Sequence, residues 1–348
     1  MTRTLPGSWY GDEALHARTI ERVFVPSWQV GPALDPDAPA GAVVPWRLGP
    51  GTVDEPVISA RGEDGAWVTL SNVCTHRGAV LVDRPCRVAR LRCPYHGRRF
   101  GLDGVIQAAP GFPTLPEGAD LPSVRTTTVG PLLLASLGSP RAVPELVGPA
   151  WERLAPLLAR PMVAAAELDA AYELDVSWAL YVENYLEGLH VPFVHPELAA
   201  AIDLGAYGVE VLPGGVLQVA EAADGEAIAL PAGHPDASRR MAAYYLWLFP
   251  DLMLNVYPWG LSLNHVQPIG PRRTRVVYRS FVADAARLGR GAGGDLHRVE
   301  AQDQAVVQRV QAGVGARLYG RGTYAPGHED GVRAFHQWWA ERVGPPPA

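Results

Sequence analysis

Over the first third of the chain apolar residues fall in short runs between turn formers, and over the rest they form longer runs and helical repeats. Near the start, Leu15, Ile20, Val23 and Phe24 share one face of a helix predicted from about Asp12 to Phe24. From about Trp28 to Leu137 the pattern predicts strands, among them Glu55 to Ser59 and Ala66 to Ser71. The Asp103-Gly104 dipeptide between Phe100 and Val105-Ile106 predicts a hairpin. A Pro-rich stretch, Ser139-Pro140 through Pro149, reads as a linker. Beyond it, antiparallel strands are predicted over Tyr244 to Phe249, Leu252 to Tyr257, Leu261 to Val266 and Thr274 to Val282. Their turns fall at Pro250, Pro258-Trp259-Gly260 and Gly270-Pro271. After a flexible Gly289 to Gly294, the spacing predicts a long helix from about His297 to Leu318 and another from Glu329 to Arg342.

At 348 residues the chain is longer than one core usually grows, so two domains are expected. A net charge of -6 and the absence of any basic stretch argue against nucleic acid or an anionic membrane as partner. Asp12, Glu13 and Glu21 interrupt the early residues, which are not expected to form a secretory signal. No stretch reaches the roughly eighteen apolar residues that a membrane helix takes. Of the 3 cysteines, two sit in the motif described next, so a disulfide framework is not expected and the cytoplasm is the default location.

That motif is Cys74-Thr75-His76 followed by Cys93-Pro94-Tyr95-His96, a C-x-H … C-x2-H pattern. Two thiolates and two imidazoles brought from two loops suit a Rieske [2Fe-2S] centre, in which histidines replace two cysteines on one iron. Gly78 and Gly97 just after the ligands allow tight turns. A zinc site is the competing reading, although zinc motifs usually pair Cys with Cys and His with His. Cys86, between the loops, is expected to be a small hydrophobe without a redox role.

A second constellation begins at Ser177, a good helix N-cap, and places His190 and His195 five residues apart. Pro192 should end or distort a helix between the two imidazoles and let His195 turn back beside His190. Glu187 and Glu183 are expected on the same helical face as His190. Two imidazoles and one carboxylate form a facial triad that leaves positions open for O2 on Fe(II). Asp303 is placed by spacing on the buried face of the long helix with Val306, Val307, Val310 and Val314. A metal would justify a carboxylate there, a dipole-stabilised helix N-terminus is the bland alternative, and Glu300 is the nearest competitor.

Taken together, the chain resembles the α subunits of Rieske non-haem iron oxygenases, the family of aromatic-ring-hydroxylating dioxygenases and choline/betaine monooxygenases. Trp28-Gln29-Val30-Gly31, Asn72 through Ala79 and Cys93 through Gly97 resemble the family's N-terminal domain. Glu183 through Pro196 resembles its iron-binding helix, and Asp303 through Gly313 its final helix. The resemblance implies an α+β chain, with a Rieske domain over residues 28–139 and a helix-grip catalytic domain over 140–348. In the latter an antiparallel sheet packs with helices, and residues 1–27 form a helical segment packing on it. Ser177-Trp178-Ala179 stands where the family often has Asn-Trp-Lys, and Glu187 where many members have the Asp that links the metal centres of neighbouring subunits.

For activity, the resemblance implies that Cys74 and Cys93 hold one cluster iron and His76 and His96 the other, while His190, His195 and Asp303 hold a mononuclear Fe(II). Electrons come from an NAD(P)H-dependent reductase or ferredoxin and cross a subunit contact through His96, Glu187 and His190, which calls for a homo-oligomer, a trimer. With O2, an aromatic or quaternary-ammonium small molecule is hydroxylated. Aromatic-ring dioxygenation is the first reading, choline/betaine-type monooxygenation the alternative, and a non-catalytic Rieske electron carrier or ligand-binding protein the rival of another class. Tyr185, Phe193, Tyr257 and Trp259 are candidate pocket walls.

Overall fold

The short apolar runs of the first third are paired strands. The computed structural model describes residues 2–344 and divides into two units, one spanning Val25–Pro140, the other formed by the chain up to Phe24 together with the chain from Arg141 onward.

The Val25–Pro140 unit is all-β. Its largest sheet is antiparallel, in the order Trp67–Ser71, Glu55–Arg61, Ala42–Leu48, Cys86–Arg87. A second sheet pairs Gln29–Val30, Leu132–Ser136 and Arg125–Val129, and a third pairs Leu91–Arg92, Arg99–Phe100 and Ile106–Ala108. The predicted hairpin turn is present, with Gly104 at φ +86° and the Asp103 carboxylate accepting from the Val105 N–H. Val43, Ile58, Leu70, Leu91 and Phe100 form a core that also takes in Cys74 and Cys93. Cys86 packs against its edge, half-buried.

The other unit is built on one antiparallel sheet in the order Val163–Ala164, Arg273–Val282, Gly260–Gly270, Leu252–Tyr257, Met241–Leu248, Gly215–Glu221, Gly208–Leu212, with Ala170–Leu174 also paired to Arg273–Val282. The central strands run longer than the pattern suggested, because apolar and small polar residues alike are buried along them.

Helix α1, Glu13–Thr19, is capped by Asp12, whose carboxylate accepts from the Leu15 N–H at 2.6 Å, and continues as a π-turn over Ile20–Phe24. The Pro-rich stretch is not an open linker. It folds as α2, Val143–Val147, and a 3-10 turn at Gly148–Ala150 running into α3, Trp151–Leu158. Pro144 and Pro149 sit in first turns, where a missing N–H costs nothing, and Val143, Val147 and Leu154 are buried. Helix α4, Trp178–Tyr185, is followed by the one-turn α5, Val191–Val194, and by α6, Pro196–Ala201.

The long helix, α7, spans Leu296–Val314 and is capped by Asp295. It stops short of Leu318, with Gly315 at its C-cap. Only Val307 and Val314 of the expected stripe are buried and Val310 is 41% exposed, so the apolar face is narrower than the spacing implied. Helix α8, Asp330–Val343, closes the unit. Trp178 lies edge-on to Phe24, Phe335 and Trp339, tying the N-terminal segment, α4 and α8 into one aromatic cluster. Among the described residues no helix is long and apolar enough to cross a membrane.

Candidate metal centres

In the β unit two loops repeat one backbone device. The Cys74 carbonyl accepts from the Gly78 N–H, and the Cys93 carbonyl from the Gly97 N–H. Both glycines have φ near +73°, a left-handed conformation that a side chain would strain. The turns bury both cysteines and leave the imidazoles of His76 and His96 half-buried at the rim, their ring centroids 4.8 Å apart. Burial pushes the Cys74 thiol up. At Cys93 burial is outweighed by backbone hydrogen bonds from His96 and Tyr95, which bring that thiol down. Nδ1 of His76 is buried with no hydrogen-bond partner. Two thiols facing two imidazoles, one with an unsatisfied nitrogen, fit an iron-sulfur cluster.

In the other unit His190, His195 and Asp303 converge, one ligand atom from each lying within 4.8 Å of the others. Nε2 of His195 is 2.8 Å, and Nε2 of His190 3.6 Å, from Oδ1 of Asp303. The remaining ring nitrogens are already engaged. Nδ1 of His190 lies 2.7 Å from Oε1 of Glu187, and Nδ1 of His195 2.8 Å from Oε1 of Gln302. Second partners of this kind fix the tautomer and aim both Nε2 atoms at the centre. The Asn184 amide donates to Asp303 at 2.7 Å and holds its carboxylate in place. Burial opposes charge on His195, but its hydrogen bond to Asp303 and the charge of that carboxylate raise its pKa overall. A metal ion displaces that proton, and the three-ligand set with open positions fits a mononuclear iron.

The route to this geometry differs from the expectation in three respects. The helix breaks before His190, after Tyr185, rather than between the imidazoles. Val191 is helical because Pro192 sits in the first turn of α5, where its lack of an N–H is harmless. His195 swings back because it leaves the helix at the junction of α5 and α6 (φ -123°, ψ 69°). Ser177 occupies the N-cap of α4, yet its side chain makes no capping bond; its backbone N–H donates to Gln311 on α7. Glu183 faces away from the site and accepts from His336, which is bonded in turn to Tyr324.

A cavity opens beside the three residues, about 80 Å³ in volume. Tyr181, Tyr185, Tyr207, Tyr245 and Tyr257 supply rings, and Glu187, Glu300 and Asp303 supply carboxylates. Among the described residues no Lys or Arg lines it. Burial holds the hydroxyls of Tyr181, Tyr185, Tyr207 and Tyr257 well above the usual tyrosine range, so they stay neutral. Two candidate wall residues lie elsewhere. Phe193 is 87% exposed, and Trp259 is buried behind Tyr257, stacked on it at 5.4 Å.

Glu300, the competing carboxylate, is held by other partners. Its Oε2 accepts from Tyr181 and Tyr278, and its Oε1 from Asn264 at 3.1 Å. Burial and the nearby Asp303 charge outweigh those donors and push Glu300 up to about 7. The sequence reading missed Asn184, Gln302, Tyr181 and Tyr278. Gln302 stands next to Asp303, and Tyr181 and Asn184 lie within the constellation that begins at Ser177, but their spacing assigned them no role; Tyr278 is recognised only once strand and helices are packed together.

The chain as a whole is similar to known proteins. The chain matches the model of the ring hydroxylating alpha subunit (catalytic domain) over residues 164–345 and that of the Rieske [2Fe-2S] domain over residues 47–123. It is 25% identical to the chloroplastic choline monooxygenase of Beta vulgaris, across 98% of this chain and 77% of that protein. In fold it is similar to a quaternary ammonium Rieske monooxygenase studied for carnitine oxidation and inter-subunit electron transfer (TM-score 0.73, 19% identity, 98% and 95% of the two chains). It is similar also to naphthalene 1,2-dioxygenase from Rhodococcus sp. bound to indole (TM-score 0.74, 18% identity, 99% and 95%).

Proposed function

Because the chain belongs to the family of ring-hydroxylating α subunits, with a Rieske [2Fe-2S] domain ahead of the catalytic domain, it is the oxygenase component of a Rieske non-haem iron oxygenase, and we propose that it oxidises a small organic cation. Cys74, His76, Cys93 and His96 would hold the cluster, and His190, His195 and Asp303 the mononuclear iron. Once bound, these metals supply the electron transfer and O2 chemistry that no side chain provides.

The chain's own residues orient and select. Glu187 and Gln302 hold the two imidazoles in the tautomer that leaves Nε2 free, and Asn184 steadies the carboxylate. The observation that carries the substrate reading is the cavity wall, which is rich in tyrosine rings and has no Lys or Arg among the described residues. Ring faces attract an ammonium group, and five tyrosines line this cavity. A substrate carboxylate would find no Lys or Arg partner there, so a choline-like amine is favoured over a betaine.

Binding of choline, of its uncharged carbon isostere and of glycine betaine to the iron-loaded protein tests this, with products read by mass spectrometry. The expected order is choline well ahead of the other two. Oxidation of an arene with no binding of choline overturns the proposal.

The wider assignment is part of the same proposal. Electrons would come from a separate NAD(P)H-dependent reductase or ferredoxin, and the working assembly would be a homotrimer in which Glu187 of one protomer meets His96 of the next. Inter-subunit electron transfer in the quaternary ammonium monooxygenase supports this arrangement. Light scattering that finds only monomer in active enzyme would rule it out. A reducing cytoplasm, which suits cluster thiolates, is the proposed location.

A further inference from the structure

A second cavity, about 240 Å³, lies behind the first and is lined by Tyr172, Ser262, Tyr278, Ser280 and His297 among others. Leu296 and Glu300 line both cavities. At about 30 Å³ per molecule the second has room for several waters, and its hydroxyls offer them partners. Near its rim the Tyr172 hydroxyl meets Nδ1 of the exposed His297 at 3.2 Å.

The wall between the cavities is a closed triangle of oxygens. Tyr181 Oη and Tyr278 Oη are 2.5 Å apart, and both contact Glu300 Oε2, at 2.5 and 2.6 Å. Tyr181 lines only the metal-side cavity, Tyr278 only the second, and Glu300 lines both. Two hydroxyl protons can serve only two of these three contacts. The third is a hydrogen bond only when Glu300 carries a proton, and each oxygen then donates once and accepts once.

Oxygenase turnover needs such a group. Converting a substrate C–H and O2 to C–OH and water takes up two electrons and two protons, and the electrons arrive without protons from the donor protein. We propose that Tyr278, Glu300 and Tyr181 form the proton inlet of this oxygenase, taking protons from the second cavity at Tyr278 and delivering them to the catalytic cavity at Tyr181. In one transfer the Tyr181 hydroxyl proton leaves into the catalytic cavity and the Glu300 proton replaces it. Tyr278 then re-protonates Glu300 and recovers a proton from the second cavity, so bonds made and broken balance.

The ionisable groups around Glu300 are Tyr181 and Tyr185 on α4, Tyr278 and Tyr257 on the sheet, His195, and Asp303 one turn along α7. In the iron-free protein burial and the Asp303 charge push Glu300 up to about 7, and the closed triangle of oxygens is what provides for a proton on its carboxylate. The proposal rests on the oxygenase activity and not on which substrate is oxidised.

The test compares wild type, Glu300→Gln and Tyr278→Phe. In iron-free protein, at a pH between the ordinary glutamate value and about 7, infrared difference spectra of wild type against Glu300→Gln should show the carbonyl stretch of a protonated carboxylic acid, shifted by Tyr278→Phe. In loaded enzyme both variants should keep their iron content and KM, lose about a hundredfold in kcat, and show a larger solvent deuterium isotope effect. Absence of the carbonyl band, or unchanged kcat and isotope effect in both variants, overturns the proposal. Tyr278→Phe keeps the test decisive if Glu300→Gln folds poorly.

Discussion

Nδ1 of His190 lies 2.7 Å from Oε1 of Glu187, and the other oxygen of that carboxylate accepts from the backbone N–H groups of Leu189 and His190. Glu187 thus orients the imidazole through its ring and through its backbone, across the break after α4. Glu187→Gln keeps an acceptor for Nδ1 and should retain iron. Glu187→Ala should weaken iron binding by roughly 10- to 100-fold, read as iron remaining after dialysis against a chelator.

Asp303 and Glu300 are told apart by their partners. Asp303→Ala should reduce iron from about three to about two per chain, with the visible spectrum of the cluster intact. Glu300→Ala should keep all of it. Iron loss in the Glu300 variant alone would exchange the two assignments.

Cys86 packs at the edge of the β core, while Cys74 and Cys93 lie at the two loops. Cys86→Ser should leave the cluster spectrum unchanged and cost about 1 kcal/mol or less. His76→Ala should bleach it.

Trp178 joins three elements through edge-on contacts with Phe24, Phe335 and Trp339. Trp178→Ala should cost about 3–5 kcal/mol in the unfolding free energy of the catalytic unit, measured by denaturant titration.

Glu300 also predicts a pH dependence for the iron-free protein. Its folded pKa, pushed up to about 7, lies above the ordinary value of 4.5. Between these values the folded state binds a proton that the unfolded state has released, so the contribution of Glu300 to stability is greatest below 4.5 and is lost as pH rises to about 7. The loss is on the order of 3 kcal/mol. Melting of wild type against Glu300→Gln across this range should show the difference moving in favour of the variant as pH rises. A constant difference would contradict the raised pKa.

The sequence by itself determined what local spacing can determine. Cys74-x-His76 and Cys93-x2-His96 each sit on one tight turn closed by a glycine, and such turns carry their geometry within a few residues. His190 and His195 came together for the same reason, although the break that aims them falls at Leu186 and not at Pro192. Strand existence was legible too, since burial on a sheet leaves an apolar trace in the chain.

Only the tertiary structure decided which groups face one another across elements. Glu183, seven residues before His190, turns to His336 on α8, while Glu300, three before Asp303, turns to tyrosines on α4 and the sheet. Phe193 went to solvent and Trp259 behind Tyr257, and the Pro-rich stretch folded as α2 and α3. In each case the outcome depends on surfaces supplied by residues far away in the chain, whose position no local spacing encodes.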